Sequence, residues 1–221
     1  MSALLTPLLN SYKERVMKKT RFSILYGFIC VFTLLGCNDD NEVKISQGNN
    51  AAAIEHAESL DKQSYAGLED VFLDTKNIYT QKDKVTLLIF GKNNCIYCDK
   101  IKDDIKANDE IKSLLQDHFI PYYVNVSYTK IHNLNFIDSK KELSSTALME
   151  SYVKSPMRPT PTLIFLNPKG EVIFELPGYM KPDSILKILQ YMQSKQWQDK
   201  DQTQVASEIN KILQIPRFDY I

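Results

Sequence analysis

Cys95 and Cys98 stand three residues apart in Cys95-Ile96-Tyr97-Cys98. The thiolate of cysteine is both a nucleophile and a metal ligand, so the pair has two chemical readings. It can trade a disulfide with another protein, which needs one exposed thiolate and one resolving thiol within reach. It can equally be half of a zinc site. The setting favours exchange. An apolar run, residues 85–90, precedes the pair, and a helix-like stretch, residues 99–105, follows it.

The elements that must position the pair can be read from the hydrophobic pattern. Six consecutive residues, Val85-Thr86-Leu87-Leu88-Ile89-Phe90, suit a strand buried on both faces of a sheet. Gly91-Lys92-Asn93-Asn94 turns out of it. The helix that begins at Cys95 and runs to about residue 107 turns Ile101 and Ile105 inward. Ile111, Leu114 and Leu115 mark a second helical piece. Residues 120–126 read as a strand, 128–137 as a loop with aromatic character, and 139–154 as a helix with Leu143, Ala147 and Leu148 inward. Residues 162–166 and 171–176 are strands joined by the turn Asn167-Pro168-Lys169-Gly170. Pro182 opens a helix whose apolar face is Ile185, Leu186, Ile188 and Leu189. Residues 196–221 form a helical extension packed on the domain. Asp201 followed by Gln204 resembles a capping box at its start. Upstream, residues 59–79 read as a broken helix, on the helical spacing of Leu68, Val71 and Phe72. A helix between two strands implies parallel pairing, and a short turn implies a hairpin. The fold class is α/β, a mixed parallel and antiparallel sheet with helices on both faces.

The N-terminus is of another kind. Lys13, Arg15, Lys18, Lys19 and Arg21 precede fifteen uncharged residues, 22–36. That is short for a spanning helix, which needs roughly 20 apolar residues, and it fits a signal peptide. The stretch ends in Leu34-Leu35-Gly36-Cys37, which resembles a bacterial lipobox with Cys37 as the lipidated residue. An ordinary membrane anchor with an incidental cysteine is the alternative. Met17-Lys18-Lys19-Thr20-Arg21 is itself a typical signal-peptide opening, so residues 1–16 are a candidate misassigned start. Residues 37–58 are polar and Asn-rich and read as a flexible tether, although Ala51-Ala52-Ala53 is able to begin a helix. The domain proper is expected over residues 59–195. Asn38 rather than aspartate follows Cys37, but Asp39 comes next, so inner and outer membrane both stay open.

Processing changes the arithmetic. The whole chain has 27 basic and 27 acidic residues, a balance that does not point to nucleic acid. Removing residues 1–36 takes five basic residues and one acidic residue, leaving 22 against 26 and a net charge of −4. Cys30 leaves with the signal and Cys37 carries lipid. Cys95 and Cys98 remain, and in an oxidising envelope they pair with each other or with a client. A structural zinc site normally takes four ligands. His56, His118 and His132 stand at no finger-like distance from the pair, so no metal is expected. His118, His132 and Trp197 read as structural.

The pattern resembles the thioredoxin fold. Residues 91–104 look like the active-site segment of exported thioredoxin-like proteins. Arg158-Pro159-Thr160-Pro161-Thr162 is similar to their second signature, in which a cis-proline faces the cysteines. Asn167-Pro168-Lys169-Gly170-Glu171 and Pro177-Gly178-Tyr179 match the hairpin and glycine that follow. The resemblance spans roughly residues 80–193. It is strongest to SoxW-like periplasmic thioredoxins and to catalytic domains of bacterial disulfide isomerases. It implies a thiol–disulfide oxidoreductase with Cys95 as nucleophile and Cys98 as resolving thiol, the two forming the redox-active disulfide. Cis-Pro161 and the backbone of Thr160 would receive the client, beside Ile96 and Tyr97. Lys92 and Lys100 add positive charge nearby. No bound cofactor is needed, because electrons arrive from another dithiol protein, a membrane reductase. Ile89 stands where cytosolic thioredoxins carry a buried acid, and Asn94 where they carry tryptophan. The resemblance favours a reductase, working on protein clients on the periplasmic side of a bacterial membrane. A Cu(I) carrier and a non-catalytic docking module are the rival classes. Tyr122, Tyr123, Tyr128 and Tyr179 either line a client groove or pack the sheet.

Overall fold

The computed structural model of the chain describes residues 50–214. The leader, Cys37 and the first part of the expected tether lie outside the described residues. Among those described, no helix is long and apolar enough to cross a membrane. The elements run α1 (Asn50–Gln63), β1 (Asn77–Tyr79), β2 (Val85–Gly91), α2 (Ile96–Ala107), α3 (Asp109–His118) and β3 (Phe119–Asn125). They continue with β4 (Ile131–Phe136), β5 (Ser139–Ser144), α4 (Ser145–Tyr152), β6 (Thr162–Leu166), β7 (Val172–Pro177), α5 (Pro182–Gln193) and α6 (Gln202–Leu213).

The main sheet has the order β3-β2-β6-β7. β2 pairs parallel with β3, from Val85 opposite Phe119 to Gly91 opposite Asn125. It pairs antiparallel with β6, from Thr86 opposite Leu166 to Phe90 opposite Thr162. Every residue of β2 is buried, because alternate side chains feed two cores. Leu87 and Ile89 join Tyr123, Leu163 and Phe165 under the helices α2, α3, α5 and α6. Leu88 and Phe90 join Tyr122, Val124 and Ile164 with Ile78, Leu134 and Leu148 on the other face. Gly91, at the exit of β2, has the Tyr123 hydroxyl where a Cβ would project, so no larger residue fits there without displacing that ring. The mixed sheet expected from the sequence is present, and α6 opens with the Asp201–Gln204 capping box.

Three expectations fail, all outside the main sheet. Residues 59–79 are not one broken helix. α1 begins at Asn50, within the stretch expected to be tether, and ends at Gln63. Leu68, Val71 and Phe72 owe their spacing to a single turn, with Val71 and Phe72 N–H groups both on Leu68 O. Residues 128–137 are not a loop but contain β4. Residues 139–154 are not one helix, because β5 occupies Ser139–Ser144 before α4 begins. Together β1, β4 and β5 build a second sheet, order β1-β4-β5, with β1 parallel to β4 and β5 antiparallel to it.

A buried polar cluster fastens α1 to this second sheet. The Lys130 ammonium lies 2.9 Å from Asp61 Oδ2 and 3.1 Å from Asp74 Oδ1. Thr75 Oγ1 donates to the same Asp61 oxygen at 2.7 Å. His132, fully buried, places Nδ1 2.8 Å from Thr75 O and Nε2 2.9 Å from Ser145 Oγ. A carbonyl can only accept, so Nδ1 carries the proton and Nε2 accepts from the Ser145 hydroxyl.

Removing one partner of a buried ion pair strands the other charge. Lys130→Met is therefore expected to cost about 3–5 kcal/mol in urea unfolding, and adding Asp61→Leu should recover most of it. A loss below about 1 kcal/mol would show that the pair is not buried in solution. His132 makes a second, pH-linked prediction. Desolvation, with the Lys130 cation beside it, holds its pKa below the ordinary 6.5. Between those two values the unfolded chain binds a proton that the folded chain does not. The contribution is full above about pH 6.5 and is lost as the pH falls toward the folded pKa, at up to about 1.4 kcal/mol per pH unit. Urea midpoints from about pH 7 to pH 5 should fall more steeply for the natural protein than for His132→Asn.

Candidate active site

Cys95 is the N-cap of α2. Asn94, at φ 53°, turns the chain out of β2, and Cys95 itself is extended, at φ −116° and ψ 99°. The Cys98 N–H donates to Cys95 O at 2.9 Å and to Cys95 Sγ at 3.2 Å. A cap normally supplies an oxygen to these orphan N–H groups. Here a sulfur takes that place, at the positive end of the helix. Cys95 and Cys98 are joined by a disulfide with Cα atoms 5.1 Å apart. Cys98 is completely buried and Cys95 is 7% exposed.

The second half of the site comes from the strand beside β2. The Thr160–Pro161 bond is cis. Thr160 O and Thr160 Oγ1 each lie 3.5 Å from Cys95 Sγ. Thr162 Oγ1 donates to Pro159 O at 2.6 Å, and Pro161 O accepts the Gly178 N–H at 2.8 Å. These bonds hold the loop at both ends. Ile96 is 81% exposed and Tyr97 58%, so the dipeptide between the cysteines faces outward.

The other expected residues divide. Lys92 is exposed at the exit of β2. The Lys100 ammonium sits 4.9 Å from the centre of the Tyr179 ring. Ile89 is buried in the core beneath α2, so hydrocarbon occupies the position where the resemblance places an acid. Tyr122 and Tyr123 are buried packing residues, whereas Tyr179 stacks on Tyr97. Trp197 packs on the core and donates Nε1–H to Met192 O at 2.8 Å.

Two sets of contacts beside the cysteines went unnoticed in the sequence. Asn93 N–H donates to Ser127 Oγ at 2.9 Å, and Asn93 Nδ2 donates to the Tyr128 hydroxyl at 2.8 Å. Asn93 Oδ1 accepts from Asn125 Nδ2 at 2.8 Å, and Asn125 Oδ1 accepts the Ser127 N–H at 3.0 Å. This ties the turn before Cys95 to the exit of β3. The asparagines next to the motif were the available signal. The second set, around Tyr179 and Asp104, is 75 residues apart in sequence and left no local trace.

The arrangement supports dithiol exchange. In such an exchange a thiolate of the reduced pair attacks one sulfur of a partner disulfide and releases one partner thiolate. The second cysteine then attacks the mixed disulfide, releases the second partner thiolate and closes the ring, and the same steps run in reverse when the pair starts oxidised and the partner reduced. Two electrons and two protons pass in either direction.

A family model described as a thioredoxin-like domain matches residues 72–193. A thioredoxin-fold protein from Helicobacter pylori is 36% identical in sequence, with a TM-score of 0.64. The match covers 70% of this chain and 96% of that one. An exposed lipoprotein thioredoxin from Streptococcus pneumoniae matches at 24% identity and a TM-score of 0.35, over 50% of this chain and 86% of that one. A disulphide isomerase from Xylella fastidiosa matches at 16% identity and a TM-score of 0.32, over 76% and 94%. No curated protein sequence matches the chain.

The unequal burial of the two sulfurs sets an order of reactivity. After reduction, iodoacetamide should modify Cys95 at least about tenfold faster than Cys98 at neutral pH. Peptide mapping by mass spectrometry reads the ratio. Equal rates, or Cys98 first, would contradict the assignment of roles.

Proposed function

The chain belongs to the thioredoxin-like domain family and is a thiol–disulfide oxidoreductase, and we propose that it acts outside the cytoplasm, membrane-tethered, as a reductase of protein disulfides. The observation that carries the chemistry is the Cys95–Cys98 disulfide at the start of α2, with Thr160 3.5 Å from Cys95. The proposed location rests on the basic and apolar leader that ends in Gly36-Cys37. Lipid on Cys37 would hold the domain at the periplasmic face of a bacterial membrane. Dithiol exchange needs no bound cofactor, and a membrane dithiol reductase is the expected electron donor. The direction follows the resemblance to SoxW-like proteins.

Insulin reduction by the detergent-solubilised chain, with Cys95→Ser as control, is the direct test. Turnover that disappears in Cys95→Ser supports exchange. No turnover together with tight Cu(I) binding would replace this reading with that of a metal carrier. A potential for the Cys95–Cys98 couple near the thioredoxin value of about −270 mV fits a reductase, whereas one near about −120 mV would make the protein an oxidant. Cys98→Ser should accumulate clients as mixed disulfides on Cys95, seen as dithiothreitol-sensitive bands on non-reducing gels.

A further inference from the structure

Tyr179 meets the redox helix at three positions. Its ring stacks on that of Tyr97, with centroids 5.7 Å apart and planes inclined by 21°. The Lys100 ammonium lies over the same ring. The Tyr179 hydroxyl donates to Asp104 Oδ2 at 2.7 Å. Residues 97, 100 and 104 are three and four apart, so they form one stripe along α2. The tyrosine lies along two helical turns, and its first contact is inside the Cys95–Cys98 ring.

The backbone of Tyr179 belongs to the other half of the site. Gly178, at φ 82°, donates its N–H to Pro161 O at 2.8 Å. The path from the Thr160–Pro161 loop through Gly178 to α2 is therefore continuous. Burial and the Asp104 carboxylate push the phenol up to about 12. The proton thus stays on the oxygen, and the bond to Asp104 persists through neutral pH.

The disulfide itself fixes the first turn of α2 while the pair is oxidised. Reduction removes that covalent tie. Non-covalent contacts must then keep the Cys98 N–H aimed at the Cys95 sulfur, just when that sulfur carries charge. We propose that Tyr179 is a positioning residue, a clasp that holds the first turn of α2 against the Thr160–Pro161 loop and so stabilises the Cys95 thiolate. The contacts are made with the disulfide closed; kept after reduction, they stabilise the charged Cys95 sulfur and so favour the dithiol over the disulfide. The proposal rests on the reading of Cys95 as the attacking thiol.

The test titrates the reduced, detergent-solubilised full chain with iodoacetamide across pH and equilibrates it separately with glutathione. Tyr179→Leu is expected to raise the Cys95 alkylation midpoint by about one pH unit, which is about tenfold less thiolate below both midpoints. The glutathione equilibrium should move about tenfold toward the disulfide. Tyr179→Phe keeps the stack and loses only the Asp104 bond, so it should retain most of the natural behaviour. Tyr97→Ala, a change on an exposed side chain, removes the stack from the opposite side and should shift both readouts in the same direction. Lower melting temperatures with both readouts within about twofold of the natural protein would leave Tyr179 a purely structural residue and overturn the proposal. If Tyr179→Leu does not fold, an unshifted Tyr97→Ala overturns it alone. Alkylation needs no client. Absent insulin turnover with shifted midpoints would count against the exchange reading and leave the clasp standing.

Discussion

Cys95 and Thr160 are 65 residues apart in the chain and 3.5 Å apart in space, and the antiparallel pairing of β2 with β6 closes that distance. Phe90 stands opposite Thr162 at the end of that ladder. Cys95 follows one strand by four residues past Gly91, and Thr160 precedes the other by two. A slip of one residue would turn every side chain of β6 to the opposite face. Leu163 and Phe165 would leave the core under α2, and Ile164 would leave the core under the second sheet. Register and site geometry are thus one constraint. The buried leucines, isoleucines and phenylalanines that fix the sheet also aim Thr160 at the sulfur.

The same constraint explains why the site tolerates so little order of its own. Asn94 is left-handed, Ile96 and Tyr97 project into solvent, and Lys92 is exposed. None of these holds the cysteines in place by itself, and Tyr97 is tied down through its stack on Tyr179. The Asn93–Asn125–Ser127 bonds fasten the turn to β3, while the Pro161–Gly178 bond fastens the loop to the exit of β7. The cysteines follow β2 and the Thr160–Pro161 loop precedes β6, and the flanking strands β3 and β7 brace them from either side.

The legible parts of this fold are those where local pattern and tertiary role agree. β2 reads as an unbroken apolar run because both of its faces are buried. The Asn167–Gly170 turn reads as a hairpin because its residues suit no other role. Cys95, Cys98 and Pro161 could be found because their chemistry is local in sequence. The second sheet was hidden for the opposite reason. β4, Ile131-His132-Asn133-Leu134-Asn135-Phe136, does alternate, with His132, Leu134 and Phe136 buried. Asparagine is a poor strand former, and the polar Asn133, Asn135 and His132 masked the alternation. β5, Ser139-Lys140-Lys141-Glu142-Leu143-Ser144, is built largely of good helix formers. Its state is decided by the edge of β4, a partner that local propensity does not reveal. The Asp61–Lys130–His132 cluster was invisible for the same reason, since its members come from α1, the segment before β4, and β4 itself.

Around the sulfurs, the fixed dipoles outweigh the mobile charges. Lys92 ends an exposed side chain, where solvent and salt screen its field within about 8–10 Å. Lys100 is held over the Tyr179 ring instead of over sulfur. The Cys98 N–H, in contrast, sits 3.2 Å from Cys95 Sγ in a helix whose first turn cannot relax without losing backbone bonds. Below it, Ile89 contributes hydrocarbon and no proton acceptor. Cys98 is wholly buried, whereas Cys95 keeps 7% of its surface exposed. The Cys95 sulfur therefore has a backbone N–H and the start of a helix beside it, and Cys98 lies behind it with no exposure. This asymmetry, more than the net charge of the surface, is what supports the proposed order in which Cys95 takes the first step of the exchange and Cys98 the second.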